Sequence, residues 1–171
     1  LEEFFTTGIY HPRSAADTLA TSSPSMDISK ASNLERFIWA LLGPEAFAQR
    51  WSELESTGTL DLRDQLPRLG EDFGFVAGTS SHADRLEAIR SVKERSGRLI
   101  DPHTADGVTV ALRTMEPGFP TLVMETAKAA KFPQTVAEAL GSEPETPDVV
   151  ADLLARPQKV ETIDNEEAPL R

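Results

Sequence analysis

The chain of 171 residues carries 17 Lys plus Arg against 28 Asp plus Glu, a formal net charge of −11. That balance, with no clustered basic run, excludes a phosphate-tracking nucleic-acid surface, and apolar runs such as residues 37–42 fall far short of the ~20 residues a membrane span needs. The absence of cysteine excludes disulfides, thiolate zinc sites and cysteine nucleophiles, and is compatible with a reducing cytoplasm.

A start at Leu1 rather than Met, with neither a basic n-region nor a small-residue cleavage site, is what a piece of a larger chain would show. Leu1, Phe4, Phe5, Ile9 and Tyr10 suit one or two helical turns that lead into a loop at Gly8 and Pro12. Residues 20–32 are dense in small hydroxyl side chains and read as a loop. Ser32 or Asn33 can cap a helix bearing Leu34, Phe37, Ile38, Leu41 and Leu42, which Gly43-Pro44 stops. A further helical piece spans residues 45–55 with Phe47, Trp51 and Leu54 on one face, and residues 56–70 read as a loop or short helix.

Beyond residue 72 the pattern is clearer. An apolar run at 73–77 precedes Ser81-His82-Ala83-Asp84, a capping-box spacing that opens a helix with Leu86, Ile89 and Val92 inside and Gly97 at its end. Residues 98–100 read as a short strand, and Asp101-Pro102 as an N-cap followed by proline at the first helical position. That helix runs toward Pro117-Gly118. Residues 121–126 read as another strand, and Pro133 starts a last helix through Leu140, closed by Gly141. Strands alternating with helices at this spacing predict an α/β fold with parallel strands and flanking helices. The predicted division is residues 1–141 as the α/β region and 142–171 as an acidic segment. The latter holds eight acids against three bases and four prolines, and reads as a solvated tail in which residues 149–154 make a turn or two.

Ligands of parallel α/β sheets sit beyond the carboxyl ends of strands, where helix N-termini point. Asp101-Pro102-His103-Thr104-Ala105-Asp106-Gly107 occupies such a place. Spacing alone favours Thr104 and His103 as structural first-turn groups over ligand contacts. His11, His82 and His103 are too scattered for a metal cluster, so no metal is expected. The loop Thr21-Ser22-Ser23-Pro24-Ser25-Met26-Asp27 offers hydroxyl donors but lacks the glycines of a phosphate loop, and without further information it is a linker. No Gly-x-Ser-x-Gly elbow exists for a serine hydrolase.

Several uncommon strings occur here in order. Glu3 to Tyr10, Thr21 to Ile28, Ser32-Asn33-Leu34-Glu35-Arg36, Leu99-Ile100-Asp101-Pro102-His103-Thr104-Ala105 and Ala130-Lys131-Phe132-Pro133 together resemble the C-terminal portion of bacterial and fungal threonine synthases, although Lys128-Ala129 stands where the family pattern has His-Pro. The resemblance covers nearly everything from residue 1 to 140. It implies a pyridoxal-phosphate enzyme of fold type II, the tryptophan synthase β-like fold, which converts O-phospho-L-homoserine and water to L-threonine and phosphate.

It also implies that Thr104 faces the pyridine nitrogen, and that His103, Ser23, Ser25 and Asp27 line the active site. The family's Schiff-base lysine and glycine-rich phosphate loop belong to sequence upstream of Leu1. None of Lys30, Lys93, Lys128, Lys131 or Lys159 sits in the lysine's motif, so the chain is expected to need the upstream part of its own chain and to be inactive alone. Two alternatives remain on sequence grounds: a fragment of another fold type II lyase or dehydratase, and a non-enzymatic α/β binding module.

Overall fold

The computed structural model describes residues 1–162. Helix α1 (Glu2–Thr7) buries Phe4 and ends on Gly8, whose φ of 76° is left-handed. Two features reserve that position for glycine. A side chain rarely tolerates this backbone, and an added Cβ would lie 2.7 Å from the Arg63 Cα. The Gly8 carbonyl accepts the Leu62 amide at 2.7 Å, which brings β1 (Ile9–Tyr10) beside β2 (Leu60–Asp61) as an antiparallel pair with Ile9 opposite Asp61 and Tyr10 opposite Leu60.

Between these strands run α2 (Leu34–Leu42) and α3 (Pro44–Thr57). Gly43 ends the first, and Pro44, whose missing N–H has no partner to lose in a first turn, begins the second. Then α4 (Leu66–Glu71) folds back on α1. The apolar positions of these elements meet in one core of Phe4, Tyr10, Leu34, Ile38, Leu41, Leu54, Leu60, Leu62 and Leu69. Tyr10 also pins the following loop: its hydroxyl donates to the Ser29 carbonyl at 3.1 Å and accepts the Ala31 amide at 2.8 Å. Burial pushes its pKa up, against the opposing Ala31 amide.

The second core is built by α5 (His82–Ser96), α6 (Pro102–Thr114) and α7 (Pro133–Leu140). Helix α5 packs against both others. The predicted capping box is formed: the Ser81 hydroxyl accepts from the Asp84 amide, and the Asp84 carboxylate accepts from the Ser81 amide. The Ser81 amide and hydroxyl, and Arg113 beside them, hold the Asp84 carboxyl below the ordinary range. Ala88, Ile89, Ile100, Ala105 and Ala139 fill the interior. Helix α8 (Asp148–Ala155) lies in the acidic segment and exposes Val149, Leu153 and Leu154. Residues 163–171 of that predicted segment lie outside the described residues.

The sheet differs from the sequence expectation. Among the described residues the only ladder is β1–β2, from segments read as a helix-to-loop passage and as a weakly patterned stretch. Residues 73–77, 98–100 and 121–126, expected as parallel strands, form no ladder with one another. A strand is a property of a pair, and each of these segments is separated from the next by a helix without coming alongside it. Phe75, Val76, Leu122 and Met124 remain exposed as a result. Residues 121–126 instead pass over α6, where Gly107 leaves room for Val123: a Cβ there would lie 3.1 Å from the valine methyl.

Candidate functional site

The predicted N-cap of α6 is the centre of the site. Asp101 is fully buried, and its Oδ1 accepts the His103 amide at 2.9 Å and the His103 Nδ1–H at 2.9 Å. Its Oδ2 accepts the Thr104 hydroxyl. A carboxylate at a helix N-terminus is favoured by the unpaired amides there. Burial raises the Asp101 pKa, but the hydrogen bonds from Thr104 and His103 outweigh it and hold the carboxyl below its ordinary value.

His103 extends this cap across the molecule. Its Nδ1 donates to Asp101, so its Nε2 is a bare acceptor, and it receives the Ser25 amide at 3.0 Å. The ring also meets Phe132 edge-on, with centroids 4.9 Å apart. The predicted linker is therefore a fixed loop seated on α6. Asp27 closes it from within, accepting the Thr21 amide and the Thr21 hydroxyl, each at 2.8 Å.

The five residues singled out from the sequence thus divide. Thr104 is buried at 5% exposure, and its hydroxyl makes no second hydrogen bond among the described residues. Ser23 is buried with its hydroxyl unpartnered. The Ser25 side chain is exposed. His103 has both ring nitrogens engaged, and Asp27 is occupied by its own loop.

A charged network that sequence reading missed adjoins the loop. The Arg85 Nε donates to Asp106 Oδ1 at 2.6 Å, with both side chains about nine-tenths buried. Ser80 donates to the same oxygen at 2.6 Å, and the Arg85 Nη1 donates to the Ser22 hydroxyl at 3.1 Å. Ser22 lies 2.8 Å from His82 Nδ1, whose Nε2 lies 2.9 Å from Glu138. A cleft of about 440 Å³ opens here, lined by Thr21, Ser22, Ser80, His82 and Arg85 among others. The available signal was a charge on each buried stripe. Arg85 falls in helical register with Ala88, Ile89 and Val92, and Asp106 with Pro102, Ala105 and Thr109.

Among the described residues no three His, Asp or Glu side chains converge as a metal site, and no helix is long and apolar enough to cross a membrane. All five lysines are exposed.

The fold matches that of a solved enzyme. A crystal structure described as pyridoxal-phosphate-bound threonine synthase from Brucella melitensis superposes with a TM-score of 0.84 over 99% of this chain and 36% of that one, at 32% identity. The class is thus the α/β architecture of a fold type II enzyme, to which this mostly helical chain contributes one part. Residues 104–170 match the family model "Threonine synthase, C-terminal". The threonine synthase of Methylobacillus glycogenes is 47% identical over 100% of this chain, and that of Corynebacterium glutamicum is 47% identical over 97%. This chain belongs to the threonine synthase family, as its C-terminal region. It spans a little over a third of the length of these relatives, 37% and 36% respectively.

Proposed function

We propose that the chain supplies the C-terminal part of a cytoplasmic, pyridoxal-phosphate-dependent carbon–oxygen lyase that converts O-phospho-L-homoserine and water to L-threonine and phosphate. Residues 1–141 are its share of the catalytic region and 142–171 an appended acidic segment. The observation carrying this reading is the 47% identity over the whole chain, together with the buried turn that presents Thr104.

The residues present fit the cofactor's ring. A pyridine nitrogen in a dry site calls for one neutral hydroxyl, and Thr104 is a buried hydroxyl whose single partner among the described residues is the neighbouring Asp101. Pyridoxal phosphate, when bound, supplies an electron sink for carbanions beside its imine. Thr104 would hold the ring nitrogen, and Asp101 and His103 would hold Thr104 and the 21–27 loop in place. Ser23, whose hydroxyl has no partner, Ser25 and this loop as a whole would line the cleft. Asp27 and His103 line it by shaping the loop, since their polar atoms are already committed. An anchoring lysine must be a desolvated amine, and the exposure of all five lysines supports a lysine contributed by the upstream two thirds of such an enzyme.

The 171-residue chain mixed with pyridoxal phosphate is expected to show no new visible absorbance and to release no phosphate from O-phospho-L-homoserine. Joined to the matching upstream region of a relative, it is expected to do both. A band from the chain alone that a lysine substitution removes would overturn the inactive-alone reading, and an inactive, cofactor-binding chimera would overturn the reaction.

A further inference from the structure

We infer that Ser22, His82, Glu138 and Arg85 form a second reactive site, a serine nucleophile with its base and its oxyanion donor, which takes small activated carboxylic esters. The site is independent of the role given to Thr104.

The proton directions in this cluster are forced. An ionised carboxylate only accepts, so Glu138 Oε1, 2.9 Å from His82 Nε2, takes the ring N–H. In a neutral imidazole that leaves Nδ1 bare, and the Ser22 hydroxyl 2.8 Å away donates to it. A guanidinium has no acceptor, so the Arg85 Nη1 donates to the Ser22 oxygen at 3.1 Å. The serine proton is thus aimed at a base, one lone pair is held by a cation, and the other lone pair remains for attack. A hydroxyl becomes a nucleophile when a base within hydrogen-bond reach takes its proton and a third group orients that base. Such a set is recognised by geometry and roles. Its members here lie 60 and 56 positions apart, which is why no local motif announces them.

Arg85 meets the other requirement of acyl transfer. Attack turns the ester carbonyl into an oxyanion, which donors already fixed in place stabilise. The Arg85 side chain is 8% exposed and clamped by Asp106 at 2.6 Å. Three of its five N–H bonds go to Asp106, Ser22 and the Ser80 carbonyl, and two have no partner among the described residues. The cleft of about 440 Å³ lined by Ser22, Ser80, His82 and Arg85, with His82 half exposed, gives a small ester access. Ser22 Oγ bonds to the carbonyl carbon as its proton passes to His82 Nδ1. The carbon–oxygen bond to the alcohol then breaks, and the departing oxygen takes that proton. Water repeats the sequence, releasing the acid and restoring Ser22.

The experiment uses a full-length holoenzyme in which these 171 residues replace the matching region of the Corynebacterium glutamicum relative, with circular dichroism to check the fold of each variant. The probes are a fluorophosphonate, which loses fluoride as the Oγ–P bond forms, and p-nitrophenyl acetate. Peptide mapping is expected to place the phosphonate on Ser22, and Ser22→Ala is expected to abolish that label and lower the ester hydrolysis. His82→Ala should slow labelling about 100-fold, and added imidazole should restore part of the rate, a response that a purely structural histidine would not give. Glu138→Ala should slow it too, whereas Glu138→Gln, whose amide oxygen still accepts from Nε2, should recover most of the rate. Arg85→Met with Asp106→Leu should slow it about 100-fold by removing the oxyanion donor. An unlabelled Ser22, or a labelling rate unchanged in His82→Ala, would overturn the inference. If Ser22→Ala fails to fold, the mapped wild-type label and the imidazole response of His82→Ala decide the matter.

Discussion

The two cores hold together by different means. The first has nine buried apolar residues, all large, gathered from α1 to α4 and the β1–β2 pair. The second has five, three of them alanine, and makes up the deficit with buried polar contacts: Arg85 on Asp106, and Asp101 on Thr104 and His103. Apolar packing tolerates rearrangement and ignores pH, whereas paired polar groups fix one geometry and fail when one partner is removed or protonated. The candidate site lies in the half that needs fixed geometry.

The largest expected effect tests the apolar half. Phe4→Ala removes a fully buried ring from the first core and is expected to cost about 3–5 kcal/mol in urea unfolding, with amide protection lost in α1, α2 and α4 before α5 to α7. Equal loss across both groups of helices would show that the cores do not act separately. Arg85→Ala should cost about 3 kcal/mol by stranding Asp106, whereas the double change Arg85→Met with Asp106→Leu should be close to neutral. A double variant as unstable as the single one would mean that the pair itself, and not the stranded charge, holds the second core.

Asp101→Ala should cost about 2 kcal/mol, through the lost cap and the unpaired donors of His103 and Thr104. The pH dependence follows from the same group. Its folded pKa lies below the unfolded value of about 3.9, so its contribution is complete above that value and disappears as pH falls through the lower, folded one. Hydrogen exchange in α6 should therefore accelerate on acidification below about pH 4 in the wild type, and lose that step in Asp101→Asn. The smallest effect is at His82, which is about half exposed with Glu138. His82→Ala should cost under about 1 kcal/mol, and a larger loss would make the Ser22 bridge a main support of the second core.

What the sequence disclosed follows the same division. The α2 stripe of Leu34, Ile38 and Leu41, the Gly43-Pro44 break, the Ser81 capping box and the Asp101-Pro102 start of α6 were all legible, because each is local chemistry within one or two turns. Strands of two residues such as Ile9–Tyr10 carry no period to read. Residues 121–126 have strand-like composition, yet pairing depends on a neighbour that composition does not specify. In the site, Asp101 and Thr104 were legible as an N-cap and a first-turn hydroxyl. The contacts of His103 with Ser25 and of Arg85 with Ser22 join residues 78 and 63 positions apart, and no local pattern encodes them.

Gly8 shows how narrow a tolerance can be at a position beside the first core. Its torsion and the 2.7 Å approach to Arg63 each exclude a side chain independently, so relief of one constraint leaves the other in force. No single compensating change elsewhere can therefore open that position to another amino acid. Adaptive change in α1 and β2 has to proceed around it.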